Sequence, residues 1–86
     1  MKISVELTLT PLQNEFEEPI VNFIKQLRSS ELTVLENPLS TQVYGDYDTV
    51  MSILTSEIKD AFNLIENGLI LLKIVKSDRS DYESDF

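Results

Sequence analysis

The first ten residues alternate between apolar and polar side chains. Ile3, Val5, Leu7 and Leu9 are apolar, and the residues between them are serine, glutamate and threonine. Alternation with period two is typical of a strand that buries one face. Pro11 should end this strand, because proline has no backbone N–H to donate to a sheet.

Two later segments carry apolar residues three or four apart, which is the spacing of an amphipathic helix. The first helix should begin near residues 16–18, with Pro19 in its first turn. Its apolar stripe consists of Phe16, Ile20, Phe23, Ile24 and Leu27. The second should begin at Asp46 or Asp48, both good N-caps, and stop at Asn67-Gly68. Its buried stripe should consist of Val50, Ile53, Leu54, Ile58, Ala61, Phe62 and Ile65.

Three further segments, residues 32–36, 41–44 and 69–76, are rich in apolar and β-branched residues and predict strands. Asn37-Pro38 separates the first two, so they should pair as a hairpin. Gly45-Asp46 should then turn the chain, with Gly45 supplying a positive φ.

The order strand, helix, strand, strand, helix, strand predicts an α+β, ferredoxin-like βαββαβ sandwich. The antiparallel sheet should have the order 4-1-3-2, with both helices on one face. The other face, called here the open sheet face, should carry Ser4, Glu6, Thr8, Gln42, Tyr44, Leu71, Lys73 and Val75. It mixes apolar and uncharged polar groups, which favours self-association, a ligand, or both. A merely half-solvated sheet is the alternative.

The chain has 86 residues, enough for one domain, which we place at residues 1–76. Residues 77–86 form an acidic tail with a net charge of −3, expected to be a solvated terminus rather than a docking motif. The whole chain has a net charge of −8, which disfavours binding to nucleic acid. No stretch approaches the roughly 20 apolar residues of a membrane span, so we expect no membrane partner and a cytoplasmic location.

Neither cysteine nor histidine is present. Their absence excludes a disulfide scaffold, a thiol nucleophile and the commonest general base and metal ligand. The carboxylate pairs Glu17–Glu18 and Asp46–Asp48 lie at helix starts, where capping and the helix dipole explain them. We therefore expect no catalysis, no metal and no cofactor.

The segment Ser40–Met51, STQVYGDYDTVM, resembles the strand–turn–helix signature of the small thiamine-binding, YkoF-type proteins. The matching positions are Thr41, Val43, Gly45, Tyr47, Asp48, Val50 and Met51. The opening segment Ile3–Leu12 is similar to that family's first strand and Pro-Leu turn. Gln13 and Ser40 stand where the family often has glycine. The resemblance covers residues 2–76.

The resemblance implies non-catalytic binding of thiamine or its hydroxymethylpyrimidine moiety by a homodimer or homotetramer built through the sheets. Glu6 would pair with the aminopyrimidine edge, and Tyr44 would supply a ring for stacking. The expected ligand-binding residues are Glu6, Thr8, Asn37, Ser40, Thr41 and Tyr44.

Four of these residues also have a structural interpretation. Glu6 could be a solvated strand residue or an inter-subunit partner of Lys73. Tyr44 could belong to a subunit interface, Thr41 could be a plain strand residue, and Asn37 could serve the turn. The alternative function is accordingly a ligand-free assembly or regulatory domain of the same fold. An amino-acid-sensing domain is a third possibility.

Overall fold

A computed structural model describes residues 1–85 of the chain. The elements are β1 (Lys2–Pro11), α1 (Glu17–Arg28), β2 (Thr33–Glu36), β3 (Thr41–Asp46), α2 (Tyr47–Leu64) and β4 (Gly68–Val75). The four strands form one antiparallel sheet in the order β2-β3-β1-β4. The predicted ferredoxin-like βαββαβ fold and its strand order are confirmed.

The core lies between the helices and one face of the sheet. Strand β1 is central, and its predicted alternation is confirmed: Ile3, Val5 and Leu7 are each only 1% exposed. Helix α1 buries Phe23 and Leu27 against this face. From α2 and β3 the core receives Val50, Leu54, Ala61 and Val43. Complete burial of one leucine side chain stabilises the fold by roughly 1.5–3 kcal/mol, so these residues dominate the stability of the domain.

Both helices begin where they were predicted to begin. Pro19 occupies the first turn of α1, and Asp46 is the residue before α2. The Asp46 carboxylate makes no capping hydrogen bond, however. It lies 3.3 Å from the N-terminal ammonium group of Met1, which takes the place of the helix N–H groups as its partner.

The predicted turn at Gly45-Asp46 is wrong. Both residues continue β3, where they pair with Ile3 and Lys2, and no glycine in residues 1–85 has a positive φ. Close packing explains the glycine instead. A Cβ atom at Gly45 would lie 3.1 Å from side-chain carbons of both Leu32 and Val50, so the first turn of α2 can approach β3 only because that atom is absent.

Two predictions for α2 also need correction. The helix ends at Leu64, before the expected stop at Asn67-Gly68, and Gly68 instead begins β4 opposite Pro11. Phe62 was expected in the buried stripe but is 45% exposed. Consecutive helical residues point about 100° apart, and at this turn the smaller Ala61 faces the core.

Candidate functional site

The strand register fixes which side chains share the open sheet face, because directly paired residues of antiparallel strands point to the same side. Across β3, β1 and β4 the rows are Tyr44–Ser4–Val75 and Gln42–Glu6–Lys73, with Thr8–Leu71 beyond them. These are the eight residues predicted for this face. Within residues 1–85 both helices lie on the other face, so an acid, an amide, a phenol and an amine lie together on an accessible surface.

Glu6 is the acid at the centre of the open sheet face. Its Oε2 accepts a hydrogen bond of 3.1 Å from Ser40 Oγ, which in turn accepts one of 2.8 Å from Gln42 Nε2. The chain Gln42–Ser40–Glu6 therefore holds the carboxylate toward β3. Lys73 lies directly opposite on β4, but the salt bridges within residues 1–85 are Met1–Asp46 and Arg28–Glu36. Glu6 thus keeps a carboxylate oxygen available to a ligand.

The start of the predicted tail lies against the same face. Ser4 Oγ donates a hydrogen bond of 2.7 Å to the Ser77 carbonyl and accepts one of 2.8 Å from the Arg79 N–H. These contacts make Ser4 nearly inaccessible, at 7% exposure. Arg79 and Tyr82 join Tyr44, Lys73 and Val75 around a shallow depression. We name this set of five residues the tail corner.

Beyond this corner the tail is exposed, as expected of a solvated terminus. The Ser80 hydroxyl and N–H both donate to the Asp78 carboxylate, at 2.6 and 2.9 Å. These hydrogen bonds hold the pKa of Asp78 below its usual range. Phe86, which the prediction included in the tail, lies outside the described residues.

Four of the predicted site residues meet at the end of the sheet instead. Thr8, Asn37, Ser40 and Thr41 line a cleft of about 190 Å³ between β1, α1 and the loop before β3. Thr41 lies on the helix side of the sheet and is 7% exposed. Side chains alternate along a strand, so Thr41 points away from the face that carries Glu6. Thr8 and Ser40 border both places.

Asn37 has the role in the turn that was given as its alternative interpretation. Its Oδ1 accepts hydrogen bonds from the N–H groups of Leu39 and Ser40, at 2.8 and 3.1 Å. Thr8 Oγ1 donates to the Leu39 carbonyl at 3.5 Å. The predicted residues therefore fall into three groups: Glu6 and Tyr44 on the open sheet face, Thr8 and Ser40 where that face meets the cleft, and Asn37 and Thr41 in the neighbouring loop and cleft.

The sequence placed Gln42 and Lys73 on the open sheet face without assigning them to the site, and it gave no role to Arg79 or Tyr82. Residues 77–85 have neither period-two nor helical apolar spacing that would have indicated contact with the sheet. Within residues 1–85 no group of three or more acidic side chains is arranged to hold a metal ion. In the same part of the chain, no helix combines the length and the apolar character that membrane crossing requires.

The fold recurs in solved structures. A candidate thiamine biosynthesis/salvage protein of Thermotoga maritima matches with a TM-score of 0.81 at 18% identity, over 90% of this chain and 85% of that one. A Streptococcus pneumoniae protein matches with a TM-score of 0.74 at 26% identity, over 91% of this chain and 89% of that one. A hypothetical protein of Methanocaldococcus jannascii gives 0.75 at 23% identity, over 95% and 84% of the two chains. No family model and no curated protein matches this chain.

Proposed function

We propose that this protein binds thiamine or its hydroxymethylpyrimidine moiety without catalysis, as a cytoplasmic homo-oligomer of the thiamine-binding, YkoF-type family. The observation that carries the proposal is the arrangement on the open sheet face: the Glu6 carboxylate, fixed by Ser40, beside the phenol of Tyr44. The sequence resemblance and the thiamine-related structural neighbour support the choice of ligand.

The chemistry of the face suits an aminopyrimidine. The amino group donates hydrogen bonds, and a carboxylate accepts them with more strength than a neutral acceptor does. The same charge attracts the thiazolium cation of thiamine. Tyr44 lies diagonally across from Glu6, close enough for its ring to stack on a bound ring or to contact a cation, worth about 1 kcal/mol.

The shape of the face explains why the proposal includes an oligomer. Binding sites for small molecules usually enclose 70–90% of the ligand surface in about 300–1,000 Å³. The cleft beside Thr41 holds only about 190 Å³, and the depression at the tail corner, at about 460 Å³, is wide open to solvent, so neither encloses a ring. A second copy placed against the face would supply the missing wall.

Isothermal titration calorimetry with thiamine and with hydroxymethylpyrimidine tests the proposal. Glu6→Gln should weaken binding by about 1–3 kcal/mol, or roughly 5- to 150-fold, because it removes a charged acceptor. Glu31→Gln is the matched control, since Glu31 is exposed and lies outside the sheet. Absence of binding heat at millimolar ligand would refute the proposal. Unchanged affinity in Glu6→Gln would remove this residue from the site.

A ligand-free assembly domain is the second candidate, and strand β4 favours it. This edge strand is apolar on both faces: Leu71 is 67% exposed, Leu72 42% and Ile74 44%. Surface of this kind is typical of subunit interfaces. Light scattering of wild type and of Leu71→Lys tests self-association. A wild-type monomer would refute both the oligomer and this second candidate, whereas an oligomer that binds no thiamine would favour the assembly domain.

A further inference from the structure

The tail corner brings two cations and two aromatic rings together on a strongly acidic chain. Lys73 comes from β4 and Arg79 from the tail, with Tyr44 and Tyr82 beside them. The chain has seven lysine and arginine residues against fifteen acids. Two of these few cations thus border one depression, next to the face that carries Glu6.

Neither cation is neutralised by a salt bridge within residues 1–85. Glu6, the acid opposite Lys73, is drawn toward β3 by Ser40. Asp78, next to Arg79 in the sequence, directs its carboxylate to Ser80 and forms no salt bridge with Arg79. The charges of the tail corner are therefore available to an anion.

Arg79 is also held in position. Its backbone N–H donates to Ser4 Oγ, and its Nε donates to Ser77 Oγ at 2.8 Å. The two terminal guanidinium nitrogens remain free of hydrogen bonds to residues 1–85. A planar guanidinium with its terminal donors free binds phosphate oxygens in pairs, and a nearby lysine adds a point charge.

We propose that the tail corner binds the phosphate group of a phosphorylated aminopyrimidine ligand, such as thiamine monophosphate. The inference rests on the proposed function, because it places the amino end of the ligand at Glu6 and its phosphate at Lys73 and Arg79. Ser4, which anchors Arg79, lies two residues along β1 from Glu6, about 7 Å at the usual strand rise. Thiamine monophosphate, with two rings and an ethyl linker between its amino group and its phosphate, is long enough to span this distance.

The charges match over the whole ligand. A phosphate monoester carries about −1.5 to −2 charges at pH 7, which two cations neutralise. The aminopyrimidine, which is neutral or cationic, meets the one carboxylate at the centre of the face. An unphosphorylated ligand would leave both cations of the tail corner without a partner.

Calorimetric titration with thiamine and thiamine monophosphate, at the same salt concentration, tests the inference. The phosphorylated form should bind roughly tenfold more tightly or better, the effect of one charge-assisted hydrogen bond. Lys73→Gln and Arg79→Gln should each reduce this preference, and the double variant should abolish it. Lys59→Gln is the control, because Lys59 is exposed on α2, on the other side of the sheet.

The outcomes separate the two proposals. Equal affinity for the two ligands, or a phosphate preference that survives in the double variant, would overturn the inference and leave the proposed function standing. Binding of neither ligand would overturn both. A preference lost in the double variant but kept in Lys59→Gln would support the tail corner as the phosphate site.

Discussion

The tail is attached to the sheet through the hydroxyl group of Ser4, and Ser4→Ala should release the tail. The substitution removes two hydrogen bonds, to the Ser77 carbonyl and from the Arg79 N–H. Each contributes about 0.5–1.5 kcal/mol, so the tail should lose roughly 1–3 kcal/mol of docking free energy. The population of the undocked tail should rise by roughly 5- to 150-fold.

Limited trypsin digestion followed by mass spectrometry measures this change, since trypsin cleaves after Lys76 and Arg79. When opening is fast, the cleavage rate follows the population of the open form. Ser52→Ala is the control, because Ser52 is exposed on α2 and has no hydrogen-bond partner within residues 1–85. Urea unfolding of both variants checks that the fold is retained. A cleavage rate in Ser4→Ala equal to that of wild type would refute the role of Ser4 as the anchor of the tail.

Three further predictions concern stability and pH. Leu27→Ala should lower the free energy of unfolding, measured in urea, by about 2–5 kcal/mol, because Leu27 is 0% exposed. The control Leu64→Ala should lower it by less than about 0.5 kcal/mol, because Leu64 is 70% exposed. Gly68→Ala should cost about 1–3 kcal/mol, since its Cβ would lie 2.9 Å from a β1 carbonyl oxygen; an unchanged urea midpoint would contradict this. The Asp78–Ser80 contact should persist at every pH above the usual pKa of an aspartate and be lost as pH falls through the lowered pKa of Asp78. An NMR titration of the Ser80 amide that showed loss near neutral pH would contradict it.

The sequence was sufficient for the fold and for the composition of the open sheet face. Strict alternation from Ile3 to Leu9 determines which side chains of β1 point to the core and which to the open sheet face. The strand pairing then determines the same for β3 and β4. The same alternation separates Thr41 from Glu6. The prediction assigned both residues to the ligand, Glu6 as a charged acceptor and Thr41 as a neutral hydrogen-bonding group, but the pleat of the sheet places them on opposite sides.

The tail corner could not be predicted from the sequence. The hydrogen bond between Ser4 and Ser77 that brings the tail to the sheet joins residues 73 positions apart, and no local sequence pattern predicts a contact over that separation. Gly45 was misinterpreted for a related reason. Backbone freedom is the usual explanation for a glycine, whereas here the reason is the approach of Leu32 and Val50, which only the packed structure reveals.

The central position of β1 has a consequence for biosynthesis. Of the four strands, β1 is made first, and it pairs on one side with β3 and on the other with β4, which is made last. Until residues 68–75 emerge, one backbone edge of β1 has no partner within the chain, and its apolar face is adjacent to an unfinished sheet. Folding of the complete sheet must therefore wait until β4 has been made, and a long pause before β4 would expose an aggregation-prone strand.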